Sequence, residues 1–393
     1  HGGCRMKPLP LQDIRVIDFT QVMLGPCATQ VLADYGADVI KIEKEKIGDL
    51  SRWSVGSDPD GLNNPVFCSM NRNKRSVAVD LKAEETKELI LELLDTADVV
   101  VNNFRPGVME RMGFGYETLK ARNPGIIFAS GTGFGLEGPN VNKGGQDTLA
   151  QAMTGVMERR SSPDLPLSIY STPLCDYTAA MHLAQGILLA ILQRQKTGVG
   201  QQVSVSLYNS MLAMQMQEAA CHMMRGRDLN WAAFPLTGVF ETTDRAIVVV
   251  GAFKQHPLRD ICQALEIEDL STDERYADFD LQARHRAELQ AIFRKRFAQN
   301  SSAHWLSRLE AVDILCAPVR SLAEALVDEQ TVVNRMVVDA GSTPAGAIRL
   351  VASPIDMSEA PFQIRQLPPR LGEHNDELLG SGSTERRRLA SNG

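Results

Sequence analysis

Short β-branched segments alternate with helical patterns through the first third of the chain, and this alternation limits the possible folds more than any other feature. Residues 15–19 and 38–42 have the pattern of buried strands, and residues 27–35 between them have that of a helix. Further strands are predicted over 76–79, 98–101 and 125–129, with an amphipathic helix over 83–96. Strands separated by helices are joined by crossover connections, which make a sheet parallel. The sequence therefore predicts an α/β fold that begins with a Rossmann-like domain.

The second half of the chain has a different order of elements. A long apolar helix over 176–195, a strand over 202–206 and a helix over 207–224 are predicted first. A hairpin over 237–250 and helices over 255–264, 281–298 and 303–311 follow. Because 393 residues exceed what one hydrophobic core usually serves, we expect two domains. The large Rossmann-like domain, with the parallel sheet, is predicted over 6–220 and 331–393, and a small α+β domain over 221–330.

The sequence also supports a prediction about each end of the chain. The segment 344–372 is rich in Pro and Gly but too apolar for a disordered tail, so we expect the chain to return to the large domain. Met6 is typical of a native start, and residues 1–5 are therefore not treated as native.

Charge and composition exclude several classes of protein. The formal net charge of −7 argues against a general nucleic-acid-binding protein. No apolar segment approaches the roughly 20 residues that span a bilayer, and the N-terminal region lacks the apolar core of a secretion signal. The seven cysteines are scattered, with no CxxC pair and no Cys/His cluster at the spacing of a metal site. We expect a cytoplasmic protein with reduced thiols, no membrane segment and no nucleic-acid partner.

One match to the dinucleotide-binding pattern GxGxxG occurs at Gly133, Gly135 and Gly138. In that fingerprint the glycines lie in the first strand-to-helix turn, and the helix begins within the motif. Here Pro139 follows the last glycine, and the motif comes after a later strand. We therefore interpret it as a loop and not as a dinucleotide site.

Two turns at the predicted carboxyl edge of the sheet are candidates for ligand binding. The first contains Gly25 and Pro26, where glycine allows close approach to the backbone and free amides can bind an anion. The second, the NFRPG segment over 103–107, directly follows a strand, which is where open α/β sheets bind ligands. Composition alone explains each of them as a tight turn.

Asp176 begins the long apolar helix, directly after Pro173-Leu174-Cys175, and is therefore a candidate N-cap. A carboxylate at a helix start is also a candidate nucleophile, because nearby backbone amides stabilise negative charge on an attacked acyl oxygen. The residue pattern by itself does not decide between these two roles.

Blocks of residues along nearly the whole chain are similar to those of one known family. They comprise 16–20 with Gly25 and Pro26, 36–43, 71–76, 103–107, 112–114, Asp147 with Gln151 and Ala152, 196–201, 316–319 and 371–374. In this order they resemble the family III CoA-transferases of the CaiB/BaiF type, which include formyl-CoA transferase, carnitine CoA-transferase and α-methylacyl-CoA racemase. The resemblance implies an enzyme that moves CoA between an acyl-CoA and a small carboxylic acid, most typically a dicarboxylic acid.

The same resemblance implies a mechanism and an assembly. The family's catalytic aspartate lies at the start of the helix that follows a loop rich in Gly and Pro, and the matching residue is Asp176. Its implied role is to attack the donor thioester, which gives an aspartyl mixed anhydride and then an aspartyl-CoA thioester. No cofactor is implied, because coenzyme A is itself the transferred group. The implied assembly is an interlocked homodimer, in which each subunit is a ring threaded through the other.

The resemblance also implies that CoA lies along the Rossmann-like domain, where basic side chains suit its phosphates. The implied contacts are Val22, Met23 and Leu24 in the first turn, then Lys44, Val79, Lys82, Asn103, Phe104, Arg105 and Arg111, and the loop Lys143, Gly144, Gly145, Gln146 and Asp147 near the thioester.

Departures from the family pattern affect the acyl specificity and one alternative function. Residues 231–235 have the sequence WAAFP, Arg245 stands where the family commonly has Gly, and residues 251–253 have the sequence GAF instead of a glycine run. These segments shape the acyl pocket in the family, so the sequence does not identify the two acids. The racemases use a His in a Gly-His-Asp segment for proton transfer, and here Gln146, a neutral amide, takes its place. A racemase-like enzyme and a CoA-binding protein without turnover are the alternative functions.

Overall fold

The computed structural model describes residues 8–56, 64–343 and 346–380, which form two compact units. The large unit contains the described residues up to Val156, Ile169–Gln215 and the described residues from Glu329 onward. The small unit contains Met157–Ser168 and Met216–Asp328. The division therefore differs from the predicted one at 157–168, 216–220 and 329–330. The predicted start at Met6 and the last residues of the predicted large domain, 381–393, lie outside the described residues.

Contacts inside the small unit explain why residues 157–168 belong to it. The side chain of Asn230 donates a hydrogen bond to the carbonyl oxygen of Arg160 at 2.7 Å. The guanidinium of Arg159 pairs with Asp228 at 3.3 Å. Such contacts between segments about 70 positions apart are not visible in a local sequence pattern.

Strands and helices alternate in the large unit. Its strands begin with β1 (Arg15–Asp18), β2 (Asp38–Lys44), β3 (Lys74–Val79), β4 (Val99–Asn102), β5 (Ile127–Thr132) and β6 (Gln202–Ser206). Its helices begin with α1 (Leu24–Asp34), α2 (Pro65–Met70), α3 (Glu84–Leu94), α4 (Val108–Arg111), α5 (Tyr116–Arg122), α6 (Asp147–Met153), α7 (Leu174–Thr197) and α8 (Leu207–Met214).

The six strands form one sheet in the order β3-β2-β1-β4-β5-β6, and all neighbours are parallel. Ile17 of the central strand pairs with Ile40 on one side and with Val100 on the other. The predicted parallel sheet is therefore confirmed. Because the strand order reverses between β1 and β4, a crevice opens there at the carboxyl edge of the sheet.

Helices cover both faces of this sheet. Neighbouring residues of a strand point to opposite faces, so Val16 packs with α1 and α7 whereas Ile17 packs with α3 and α5. Strands that are buried on both faces need apolar side chains at consecutive positions, as in Val99–Val101.

Within the described residues, α7 is the one helix that is long and apolar enough to cross a membrane. Its residues Leu183 and Ile187 are fully buried in the core of the large unit. The helix ends at Gly198, whose left-handed conformation (φ 73°) terminates it as glycine commonly does. We therefore describe α7 as a core helix.

The small unit is a three-stranded antiparallel sheet with helices packed against it. Its strands are β7 (Thr237–Glu241), β8 (Ala246–Val250) and β9 (Leu315–Pro318), in that order. Its helices are α9 (Met216–Arg225), α10 (Pro257–Leu265), α11 (Phe279–Arg284), α12 (Arg286–Phe297), α13 (Ser302–Ala311) and α14 (Leu322–Leu326). Its core is centred on Phe240, Phe293 and Trp305, which are fully buried.

Two predicted helices are each divided in two. The helix predicted over 207–224 breaks at Gln215, whose side-chain amide donates to the carbonyl oxygens of Met211 (3.1 Å) and Thr154 (3.0 Å). The helix predicted over 281–298 breaks at His285, whose ring packs edge-on to Tyr276. The apolar pattern continues across each break, so the pattern does not reveal it.

The last part of the described chain belongs to the large unit and follows its edge strand. It contains α15 (Glu329–Val333), β10 (Val337–Thr343), β11 (Gly346–Val351) and α16 (Asn375–Leu379). The amide of Asn73 donates to the carbonyl oxygen of Gln366, and the amide of His374 donates to that of Ser76, both at 3.0 Å. The side chain of Asn375 bonds the amide and the carbonyl of Ala78. The bonds to Ser76 and Ala78 occupy backbone groups of β3 that an edge strand otherwise leaves open.

Candidate active site

The loops after β1, β4 and β5 surround a cavity of about 420 Å³ in the large unit. This cavity lies beside the crevice between β1 and β4, where open α/β sheets bind ligands. We call it the first cavity. It is lined by Gln21, Val22, Met23, Leu24, Leu50, Asn103, Phe104, Arg105, Pro106, Gly131, Thr132, Gly133, Phe134, Gly135, Val141, Lys143, Gly144, Gly145, Gln146, Asp176 and Leu207.

Asp176 is the third residue of α7, is partly buried and faces the first cavity. Pro173 occupies the N-cap position, so the interpretation of Asp176 as the N-cap is wrong. The carboxylate still lies in the first helical turn, where the helix dipole favours negative charge.

Asp147, the first residue of α6, bonds the free amides at the start of α7. Its Oδ2 atom accepts hydrogen bonds from the backbone amides of Cys175 (2.7 Å) and Asp176 (2.9 Å). Its Oδ1 atom accepts one from the side-chain amide of Gln151 at 2.6 Å, and Gln151 in turn bonds the backbone of Tyr170. Asp147 is buried and does not line the first cavity. A side chain from another helix therefore caps α7, which explains why the helix needs no N-cap side chain of its own.

The carboxyl group of Asp176 has a pKa raised to about 6. Burial is the larger cause, because it disfavours the charged form, and the negative charge of Asp147 is the second. Asp176 is therefore ionised at neutral pH but less well hydrated than an exposed carboxylate. Strongly shifted carboxylates in a cleft are typical of reactive groups.

Two glycines bring the loop over 143–146 against the end of β5. A Cβ atom on Gly145 would lie 2.5 Å from the Cα atom of Gly133, so neither position has room for a side chain. The third glycine, Gly144, faces the guanidinium of Arg105. The side chain of Gln146 accepts a hydrogen bond from the amide of Thr148 at 2.9 Å and so caps α6.

The turn between β1 and α1 is tightly packed. A Cβ atom on Gly25 would lie 2.1 Å from the Cβ atom of Thr20, which explains the glycine. The side chain of Asn103 accepts a hydrogen bond from the amide of Gln21 (2.9 Å) and donates one to its carbonyl (2.7 Å). The amide of Val22 donates to Asp49 at 3.0 Å. The amides of Gln21 and Val22 are thus engaged within the protein, so the expectation that amides of this turn bind an anion is wrong for these two.

A second cavity, of about 530 Å³, lies on the other side of the same crevice. Gln21 and Phe104 line both cavities, so the two are neighbours. Lys44, Lys46 and Lys82 line the second one. These three side chains are exposed, and such ammonium groups are suitable partners for phosphate. Within the described residues, no group of three or more His, Cys, Asp and Glu side chains is arranged to hold a metal ion.

The structure brings most of the predicted contact residues to these two cavities, but not all of them. Val79 is fully buried in the core, Arg111 lies on the exposed surface of α4, and Asp147 is buried beneath the start of α7, so none of the three lines either cavity. Sequence reasoning missed Lys46, Leu50 and Leu207, which do line them. The signal for Lys46 was available, because it follows β2 at the same edge of the sheet as Lys44.

The segments that depart from the family pattern lie in the small unit. The ring of Trp231 packs against Phe234 (centroids 4.9 Å apart) and stacks on Phe253 (6.0 Å). Phe253 is 81% exposed and has a left-handed backbone (φ 63°). Arg245 pairs with Glu324 at 2.8 Å. The divergent residues therefore form an aromatic surface and an ion pair within this unit.

A sequence model of CoA-transferase family III matches residues 11–375. The chain belongs to this family. As a family III CoA-transferase it is an enzyme that uses CoA thioesters as substrates, and the alternative of a CoA-binding protein without turnover is set aside.

Relatives and a solved structure agree with this assignment. The succinyl-CoA:glutarate CoA-transferase of Mus musculus is 32% identical over 375 residues, which cover 94% of this chain and 86% of the relative. The formyl-CoA:oxalate CoA-transferase of Streptomyces coelicolor is 33% identical over 424 residues, which cover 99% of this chain and 100% of the relative. The crystal structure of Rv3272 from Mycobacterium tuberculosis matches this family III enzyme with a TM-score of 0.84 and 30% identity. The match covers 95% of this chain and 99% of the solved chain.

Proposed function

We propose that this family III enzyme transfers CoA from an acyl-CoA to a small carboxylic acid through covalent intermediates on Asp176. One observation carries the proposal. The partly buried carboxylate of Asp176, with its pKa raised to about 6, faces a cavity at the carboxyl edge of the sheet. An ionised and poorly hydrated carboxylate in such a cavity is suited to nucleophilic attack.

The chemistry takes four steps. A carboxylate oxygen of Asp176 attacks the carbonyl carbon of the donor thioester, the C–S bond breaks, CoA leaves as a thiolate, and an aspartyl mixed anhydride remains. The thiolate attacks the aspartyl carbonyl, which releases the donor acid and forms an aspartyl-CoA thioester. The acceptor carboxylate attacks that thioester and gives a second anhydride and the thiolate. The thiolate then attacks the acceptor's acyl carbon, so that acceptor-CoA forms and Asp176 is restored.

The two cavities support a placement for CoA. We assign the nucleotide to the second cavity, where Lys44 and Lys82 meet its phosphates, and the thioester to the first, beside Asp176. Phe104 lines both cavities and lies where the pantetheine arm passes from one to the other.

For the acceptor we propose a small dicarboxylic acid. The two relatives described above are named for glutarate and oxalate. Arg105 and Lys143 line the first cavity with Asp176. One carboxylate of a dicarboxylic acid can react while a cation binds the other.

A panel of free acids, offered with succinyl-CoA, acetyl-CoA and formyl-CoA and followed by mass spectrometry of the products, tests this proposal. Hydroxylamine added during turnover should modify the peptide that contains Asp176. Modification of a different carboxylate, or transfer without any modification, would contradict the mechanism.

The racemase alternative makes a different prediction. Gln146 has no basic lone pair at neutral pH and caps α6 with its side-chain oxygen. We therefore expect no enzyme-dependent deuterium incorporation when a 2-methylacyl-CoA is incubated in deuterated water. Incorporation above the rate without enzyme would favour the racemase.

We also propose an interlocked homodimer in the cytoplasm. Exposed apolar side chains support a partner for the single chain: Met223 and Met224 on α9 are exposed, and so are Leu189 and Leu192 on α7. Light scattering during dilution tests the assembly, since a folded monomer would contradict it. Cell fractionation tests the location.

A further inference from the structure

The turn between β1 and α1 is held by side chains at successive backbone groups. At Thr20, the amide donates to Asp18 (2.8 Å) and the carbonyl accepts from the ammonium of Lys41 (2.7 Å). Asn103 bonds the next residue and Asp49 bonds Val22, as described above. A turn in which so many backbone groups are bonded by other elements has little freedom to change shape.

Val22 needs this restraint. Its backbone is left-handed (φ 66°), a conformation in which a β-branched residue is strained. Its side chain is 47% exposed, so packing in the core does not impose that conformation. The strained residue lines the first cavity together with Asp176.

Asp49 and Lys41 form a buried ion pair that bonds the turn at two points, Val22 and Thr20. Their charged groups are 2.8 Å apart, and both side chains are fully buried. The Oδ1 atom of Asp49 accepts hydrogen bonds from the amide of Val22 and from Ser51, while its Oδ2 atom forms the ion pair with Lys41. The ammonium of Lys41 also bonds Thr20. Burial acts to raise the pKa of Asp49, but Lys41 and the amides of Ser51 and Val22 together hold this pKa below its ordinary value.

We propose that Asp49 and Lys41 are positioning residues, which hold Val22 in its left-handed conformation so that the first cavity has the shape that binds CoA thioesters. The inference rests on the proposed function, because it assigns that ligand to the cavity. Neither residue reacts with the substrate in this proposal. Their effect is exerted through the backbone of the turn.

Asp49→Asn tests the role of this ion pair, because it removes the charge with almost no change in side-chain volume. The neutral side chain loses the ion pair with Lys41, and its single oxygen can face either Lys41 or the amide of Val22 but not both. We expect the Kd of CoA, measured by titration calorimetry, to rise about tenfold. In a Val22→Gly background the same change should raise the Kd by a factor of about three or less, because glycine adopts the left-handed conformation without strain. An equal factor in both backgrounds would overturn the inference.

Asp34→Asn is a matched control, because Asp34 is also buried and paired, with Arg72 at 2.8 Å, but lies outside both cavities. It should lower the melting temperature, but any change that it causes in the Kd of CoA should be the same with Val22 and with Val22→Gly.

Hydrogen exchange tests the inference on the unsubstituted enzyme, without any variant. The amides of Gln21 and Val22 should be protected, and rapid exchange at both would also overturn the inference. If the unsubstituted enzyme does not bind CoA, the proposed function fails as well. If the unsubstituted enzyme binds CoA and Asp49→Asn raises the Kd by the same factor with Val22 and with Val22→Gly, only the positioning role is overturned.

Discussion

Asp147 accepts, through Oδ2, a hydrogen bond of 2.9 Å from the backbone amide of Asp176. The same carboxylate bonds the amide of Cys175 and so fixes the first turn of α7. Its negative charge also raises the pKa of Asp176. One buried side chain thus fixes the helix turn that holds the proposed nucleophile and adds to the effect of burial on its pKa.

Asp176→Asn should lower transfer by at least about a thousandfold, because it removes the proposed nucleophile but not the cavity. The variant should stay folded. Since the native pKa is raised from 3.8 to about 6, the carboxyl group contributes less to stability as pH rises through this range. Its replacement should therefore preserve or increase the melting temperature at pH 7. Initial rates and thermal melts measure both effects, with exposed Asp13→Asn as the control. Near-normal transfer by Asp176→Asn would contradict the proposed role.

Asp147→Asn should move the acid limb of the pH–rate profile to lower pH. In the proposed mechanism only the ionised carboxylate of Asp176 attacks, so activity should fall as pH decreases through its pKa of about 6. Without the neighbouring charge this pKa falls, although burial still holds it above the ordinary value. Single-turnover rates from about pH 5 to about pH 8 measure the shift. An unchanged or higher midpoint is the result that opposes this account.

Gly145→Ala should destabilise the enzyme by about 1–3 kcal/mol, because the new methyl group collides with the backbone of Gly133. Gly144→Ala is the matched control. Its methyl group would approach only the end of the flexible Arg105 side chain, at 3.0 Å, which can move away. Chemical denaturation compares the two variants. Equal losses would show that the close approach of the loops does not matter for stability.

Replacing both Lys44 and Lys82 with Met should weaken CoA binding by about tenfold or more, since both side chains line the proposed nucleotide cavity. The remaining affinity should depend less on salt, because fewer charges are screened. Lys120→Met is the control, since Lys120 lies on α5, outside both cavities. Calorimetric titrations at low and high salt measure the effect. A loss as large in the control would indicate only a general effect of net charge.

The parallel sheet was predictable because consecutive apolar residues such as Val99–Val101 are required by burial on both faces. The two cavities were partly predictable, because the carboxyl edge of such a sheet binds ligands and segment 103–107 follows a strand there. Asp176 was singled out mainly by the family resemblance, since its position in the sequence equally suggested a cap. That role remains a prediction.

Other features depend on contacts between distant segments and have no local signal. The capping of α7 by Asp147 joins residues 28 positions apart in the chain. The left-handed conformation of Val22 runs against the preference of a β-branched residue, so no pattern predicts it. The break at Gln215 depends on a bond to Thr154.

The bonds between β3 and the last described segment link residues such as Ser76 and His374, which are 298 positions apart. During synthesis the N-terminal part of the chain emerges first, so β3 forms long before the residues that cover it exist. For most of translation the nascent enzyme therefore exposes an open sheet edge, the kind of surface that recruits other strands. Ribosomes that stall late on this message should accordingly release products that aggregate or engage chaperones, even though almost all of the sheet has already been made.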